Sequence, residues 1–436
     1  MVLIYSHTTS ARLQYICKFI FENVLNVGFK ITIDSEEFRL YSGVCINYSD
    51  RKIKDEELRV ENVKLLFEEN IAEQKIECFT TKDYKAIFKI ENSDIGFDIF
   101  AASFYLLSRY EEYLTDEKDM YGRYSHENSL AFKEGFLRLP LINIWLKNFA
   151  ETLKAKFSTL SQVEGSNFQF STFNYLPTYD IDIAYSYKHK GVVRNIGGFF
   201  KSPSLERIKV LLGLKQDPFD SYAWINELHT TYNLNAIYFF LMAEKTSTYD
   251  KNIALHKNAL WRLIKLHAKK FSIGLHPSWQ SAGNLSILKK EKTYLEAMSE
   301  LSITNSRQHY IKFNLPEGYR QLLEAGITND YSMGYGHTNG FRASVATAFN
   351  WFDVEKNEET NLVIHPFCFM DANSYYEQKQ TAEESFDELL HYYKICKEVN
   401  GTLITIFHNN FLGTDKNFKG WREMYEAFVK EVHKGL

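Results

Sequence analysis

The run Phe173-Asn174-Tyr175-Leu176-Pro177-Thr178-Tyr179-Asp180-Ile181-Asp182 is apolar and β-prone, and it ends on two acidic residues two apart. Side chains at i and i+2 of a strand point to one face. The spacing aims both carboxylates at the place where strand gives way to loop. Parallel α/β barrels keep their chemistry at strand ends of this kind. A paired carboxylate there serves as metal ligand, as general base, or as one of each. The plainer reading is a solvated Asp pair that caps a strand.

The chain downstream repeats the pattern. Short apolar runs fit strands at Asn174–Asp182, Ala236–Leu241, Ser272–Leu275, Ile303–Ser306, Ile327–Asn329, Leu362–Ile364 and Gly401–Phe407. Amphipathic stretches between them fit helices at Phe219–Tyr232, Leu255–Lys269, Ser286–Leu301, Pro316–Ala325 and Ala382–Val399. Repeated βα units in this number predict a parallel (β/α) barrel over residues 168–436.

Upstream, residues 1–165 read as a smaller α/β domain with its own core. A strand Val2–Tyr5 leads into a helical pattern from Ala11 to about Val24. Strand-like runs follow at Lys30–Ile33, Gly43–Tyr48 and Glu77–Phe79, then helices from Asp98 to about Leu114 and from Leu139 to about Phe157. The polar segment Ser161–Asn167 marks the expected boundary. A chain of 436 residues is too long for one ordinary core, which agrees with this division.

Composition narrows the function. A net charge of -4 without a dominant basic stripe argues against nucleic acid as the main partner. Aromatic content is high, with 28 Tyr and 34 Phe, and any surplus near a cleft would suit sugar rings. Cys17, Cys45, Cys78, Cys368 and Cys396 form no C-x-x-C pair and read as buried thiols in a reducing compartment. The N-terminus has no export-signal pattern and no apolar run reaches ~20 residues, so the expected location is cytoplasmic, with loose membrane association left open.

Polar residues recur where the expected strands end: Asp180 and Asp182, then His276, then Arg307 and His309, then His365, then His408. A parallel barrel would gather them at its C-terminal mouth. Two or three His with one Asp is the ligand set of a catalytic zinc or similar ion. Each residue taken singly reads more simply as structural.

These residues also carry a resemblance. Thr178-Tyr179-Asp180-Ile181-Asp182 resembles the T-[FY]-D-D motif of the polysaccharide deacetylases, the NodB-homology group or carbohydrate esterase family 4. Gly274-Leu275-His276-Pro277-Ser278 resembles their H-[ST]-x-x-H motif, Arg307-Gln308-His309-Tyr310 their R-x-P-Y motif, and Ile406-Phe407-His408-Asn409 their L-x-H motif. Gly340-Phe341-Arg342-Ala343-Ser344 is similar to an element of divergent members. Ser108–Tyr113 and Tyr121–Tyr124 look like the uncharacterised α/β domain that precedes such a domain in a group of bacterial proteins.

The resemblance implies a deformed barrel of about seven parallel strands and a metal-dependent hydrolase of N-acetylated sugars. It makes Asp180 the base and Asp182 a ligand, with the inserted Ile181 leaving that order exchangeable. His276 becomes a ligand and His408 the acid that protonates the leaving amine. Arg307 orients Asp180 and favours its carboxylate form. The second histidine of the motif would fall at Gln280, a poor zinc ligand, and His309 is the natural substitute. The expected ion is divalent, most simply Zn2+. Asp371 is expected beside the His408 ring, and Arg342, Tyr335 and Trp279 on the substrate side. Arg342 reads equally as a loop pin, and Trp279, Trp351 and Tyr335, as sugar platforms, have core packing as their plainer alternative. Two alternatives accompany this reading: a catalytically inactive sugar-binding protein, motivated by Gln280, and a small-molecule amidohydrolase.

Overall fold

The computed structural model describes residues 1–91, 93–157, 168–201 and 203–435. The boundary expected at Ser161–Asn167 lies outside the described residues. Two separate sheets flank it in sequence. The first is built of β1 (Val2–Tyr5), β2 (Phe29–Thr32), β3 (Cys45–Asn47) and β4 (Leu58–Arg59), all parallel in the order β2-β1-β3-β4. A hairpin of β5 (Phe79–Thr81) and β6 (Tyr84–Ala86) stands apart. The helical run from Ala11 is continuous to Val24, α-helical to Cys17 and π-helical from Lys18. The helix expected from Asp98 ends earlier, at Leu107, because Arg109 takes a left-handed conformation, and a short 3-10 turn Tyr110–Tyr113 follows.

The second sheet has nine strands: β7 (Asn174–Ile181), β8 (Ile237–Leu241), β9 (Ser272–His276), β10 (Asn305–Ser306), β11 (Asn329–Asp330), β12 (Phe349–Asp353), β13 (Glu358–Ile364), β14 (Phe369–Met370) and β15 (Thr402–His408). Their order is β12-β13-β11-β10-β9-β8-β7-β15-β14, and every neighbouring pair is parallel except β12 with β13. Seven of these match the expected runs. β12 and β14 were not expected, the first because its antiparallel hairpin breaks the βα rhythm and the second because it has two residues. The parallel strands of the expected deformed barrel are present in one sheet, and among the described residues no ladder joins its end strands β12 and β14.

Helices follow the strands in sequence close to where the amphipathic pattern places them: Tyr222–Tyr232, Asn258–Ala268, Leu285–Ser299, Glu317–Glu324 and Ala382–Glu398. Ala382–Glu398 starts at a reciprocal cap, the Thr381 hydroxyl accepting from the Glu384 N–H while Glu384 reaches back to Thr381. β7 lies centrally yet contains Pro177. β8 begins pairing only at Thr178, so Pro177 sits where one side of the strand is not yet laddered.

The N-terminal part covers the β12 end of the large sheet. An edge strand offers unpaired carbonyls, and here the Tyr15 hydroxyl donates to Asn350 O at 2.6 Å while its ring packs on Phe352. Below this contact lies a buried ionic cluster. Glu112 accepts from Arg109 Nε at 2.8 Å and from Arg342 Nε at 2.9 Å, and all three side chains are about fully buried. Arg342 also stacks over Phe313, and the Tyr335 hydroxyl lies 3.4 Å from Arg109. Arg342 and Tyr335, expected at the substrate, are thus part of the joint between the two halves of the chain.

Burial alone would push the Glu112 carboxyl up, but Arg342 and Arg109 outweigh it and bring it down to about 2. A carboxylate depressed on folding stabilises the fold above its unfolded pKa of ~4.3 and loses that contribution as pH falls towards about 2. Glu112→Gln leaves the buried Arg342 without a carboxylate, while Arg109 keeps Glu111 at 2.6 Å, and is expected to cost about 3 kcal/mol in urea unfolding at pH 7. The gap between variant and wild type should narrow below pH 4.

Candidate metal centre and cleft

Side chains from the ends of β7, β9, β10 and β15 meet over the C-terminal edge of the large sheet. Asp180 and Asp182 project to one face from β7 and the residue after it. Arg307, wholly buried, ties this group together. Its Nη1 donates to Asp180 Oδ1 at 2.9 Å and to Thr178 Oγ1 at 2.7 Å, its Nε to Tyr331 O at 3.0 Å. The guanidinium lies 4.4 Å from the Phe239 ring centre. Arg307 O in turn accepts from His276 Nδ1 at 2.5 Å.

That last bond sets the tautomer of His276. With Nδ1 donating, the Nε2 lone pair faces outward, 3.1 Å from Asp182 Oδ1 and 3.8 Å from Asp180 Oδ2. His309 is arranged alike. Its Nδ1 lies 3.1 Å from Asp250 Oδ1, and its Nε2 faces Asp182 Oδ2 at 3.4 Å. Asp250 is itself fixed by the Trp279 N–H at 2.9 Å and the Ser247 hydroxyl at 3.0 Å. One ligand atom each from Asp182, His276 and His309 lie within 4.8 Å of one another.

His408, at the end of β15, forms the far wall. Asp371 accepts twice from it, Oδ1 from Nδ1 at 2.6 Å and Oδ2 from the backbone N–H at 2.7 Å. His408 Nε2 then faces Asp182 Oδ2 at 3.5 Å. Burial works against a charge on His408, but Asp371 and Asp182 prevail and push it up to about 10. In the same way, His309 is held up to about 9 by Asp182 and Asp250 against its burial. Burial opposes charge on Asp182 too, yet His309 and His408 hold it well below the usual carboxylate range.

The donor set fits a divalent ion. Two imidazoles whose outer nitrogens are steered by fixed hydrogen bonds, with one carboxylate, are donors that a divalent ion accepts. Asp182 Oδ1 is buried without a hydrogen-bond partner, as an oxygen reserved for a cation would be. At the position of the second motif histidine, Gln280 lies outside this set. Its amide sits 3.4 Å from Asp250 Oδ2.

The group opens into a cleft of about 480 Å3 with an aromatic rim of Tyr121, Tyr249, Tyr310, Tyr376 and Phe411. Trp279 stands behind this rim, stacked on Tyr249 at 3.9 Å, with Lys312 Nζ above its ring. Trp351 is buried against Tyr319 in the core. His365 stacks on Tyr331 and burial lowers it to about 4, a structural role. The glycines of the loop Asp330–His337 accommodate protein: a Cβ on Gly334 would meet the Phe367 ring, and one on Gly336 would meet Arg123.

Sequence reasoning missed several contributors. Asp250 lies nine residues beyond β8 and has no strand-end signal. Tyr121 and Arg123 come from the N-terminal part. Arg123 Nη1 donates to Tyr310 O at 2.6 Å, where Tyr310 and Ile311 both adopt left-handed φ. Such strain persists only where surroundings impose it. The motif-like string Tyr121–Tyr124 was the available signal, without a role attached.

Residues 2–158 match a family model described as a family of unknown function (DUF7033). No curated protein matches the sequence. Among solved structures the chain is similar to a Mycobacterium smegmatis protein provisionally named a polysaccharide deacetylase, at 12% identity over 60% of this chain and 84% of that one, with a TM-score of 0.40. It is similar to Puue allantoinase at 9% identity, over 61% and 85%, with a TM-score of 0.40. The polysaccharide deacetylase Bc1974 from Bacillus cereus is 9% identical over 60% and 88%, with a TM-score of 0.31.

Proposed function

We propose that this protein is a metal-dependent hydrolase that removes N-acetyl groups from a sugar in polysaccharide or glycan assembly. The observation that carries the proposal is the convergence of Asp182, His276 and His309 between an Arg-held carboxylate and an Asp-held imidazole. In this reading residues 168–436 carry the chemistry and residues 1–165 brace the cleft and contribute to its rim.

Asp182, His276 and His309 would hold the ion, with Zn2+ the best match to two imidazoles and a carboxylate. A bound divalent ion supplies a Lewis acid that polarises an amide carbonyl and acidifies water. Asp180 is the base. Arg307 fixes its Oδ1, so Oδ2 faces the cleft and can take a proton from the attacking water. His408 is the acid. Asp371 anchors Nδ1, and the proton on Nε2 passes to the sugar nitrogen, which leaves as a neutral amine. The rim tyrosines offer faces on which the C–H face of a sugar ring packs.

Two experiments test this. Elemental analysis of protein loaded with zinc should give about one ion per chain, lost in His276→Ala and in His309→Ala. A wild-type chain that takes up no divalent ion would turn the reading to a sugar-binding protein without catalysis. Acetate release from N-acetylated amino sugars should fall by roughly 10²–10⁴-fold in Asp180→Asn and in His408→Ala, with metal content retained in both. Wild-type activity in either variant would remove that residue from its role.

A further inference from the structure

The strand that carries Asp180 and Asp182 is followed by a segment unlike the rest of the surface. It contains two helices, Val192–Lys201 and Leu205–Leu211, that pack on each other through Arg207. Helix Val192–Lys201 is strongly amphipathic and buries none of its residues. Val192, Val193, Phe200, Leu205, Leu212 and Leu214 are 74%, 85%, 81%, 76%, 68% and 74% exposed. Of the twenty large apolar residues exposed among the described residues, nine fall between 192 and 214, and Val192, Ile196, Phe200, Ile208 and Leu211 of these line one groove, a concentration beyond ordinary scatter.

The charge of the segment is equally concentrated. Residues 188–215 hold seven Lys or Arg and one acidic residue, Glu206, in a chain whose net charge is -4. Between the helices runs an open groove floored by Ile196, Phe199, Phe200, Ile208 and Leu211, with Arg207 and Lys257 at its margins. The hairpin is a built element. Arg207 donates to Asn195 O at 2.9 Å and lies over Tyr187, in space that a side chain on Gly198 would fill. Arg194 donates to the carbonyls of Lys251 and Asn252, both at 3.1 Å, and Lys251 lines the cleft.

We propose that this hairpin docks the protein on an anionic phospholipid bilayer. Exposed Val, Leu and Phe on short helices flanked by Lys and Arg is the makeup of an interfacial element: the apolar face enters the acyl boundary, and the basic residues meet lipid phosphates. The charge excludes a purely apolar partner as the better match, and among the described residues no helix is long and apolar enough to cross a membrane. Through Arg194 and Lys251 the docked face is continuous with the mouth of the cleft. The proposal stands on the hairpin alone and does not depend on the deacetylase reading.

Vesicle co-sedimentation tests it, with the full chain and vesicles of phosphatidylcholine with or without phosphatidylglycerol. Wild type should sediment with phosphatidylglycerol vesicles at low salt, release by at least tenfold at high salt, and ignore pure phosphatidylcholine. Val193→Asp with Phe200→Asp, both exposed, should weaken binding at least tenfold while circular dichroism and metal content stay unchanged. Lys201→Glu with Lys209→Glu should weaken it and flatten the salt dependence. Absence of wild-type sedimentation with anionic vesicles, or binding unchanged in the apolar variant, would overturn the proposal. So would concentration-dependent self-association, abolished by the same variants, without vesicle binding: the patch would then join copies of this chain.

Discussion

Arg307 is the side chain on which the site depends. It is buried without exposure, and it bonds to β7 through Thr178 and Asp180 and to the Tyr331 carbonyl after β11. Its guanidinium orients Asp180 and spans to the Tyr331 carbonyl, while its own carbonyl fixes the tautomer of His276. A buried cation is tolerable only with such partners. The stack on Phe239 explains why β9 has glycine at 274: a Cβ there would strike the same ring. One residue thus couples the geometry of β7, β8, β9 and β10 to the chemistry at their ends.

A second constraint acts from outside the sheet. The cluster of Arg109, Glu112 and Arg342 joins the N-terminal part to the loop after β11, and Arg123 reaches from that part to Tyr310. Tyr310 is the rim residue next to His309, and its left-handed backbone needs a partner to hold it. The N-terminal part therefore shapes the cleft through a hydrogen bond to one carbonyl, besides covering the β12 edge.

Much of this was legible in sequence because parallel strands deliver their last residues to one edge. An apolar run followed at once by His or Asp suffices to place Asp180, Asp182, His276 and His408 in one region. The reading fails where placement depends on loops. Asp250 is positioned by Ser247 and the Trp279 N–H, a local turn with no periodic signal. Arg342 follows a motif-like Gly-Phe, yet its guanidinium turns to Glu112, a residue 230 positions earlier, which no local pattern reveals. Repeated βα units predict the parallel strands but do not encode which strands stand at the ends of the sheet, and β12 and β14, which carry no βα signal, occupy them.

Gln280 and His309 differ in what holds them. A second histidine four residues after His276 would sit on the short 3-10 turn Trp279–Ser281, where the Gln280 side chain is exposed and reaches towards Asp250. His309 instead comes from the turn after β10, and its ring would be free to rotate without support. Asp250 supplies that support, holding Nδ1 so that Nε2 meets Asp182. A carboxylate or carbonyl on the far nitrogen of an imidazole fixes which nitrogen faces the cluster. The two histidines satisfy this differently, His276 through the Arg307 carbonyl and His309 through a carboxylate. The pair with Asp250 ties His309 to the loop that also carries Tyr249 of the aromatic rim.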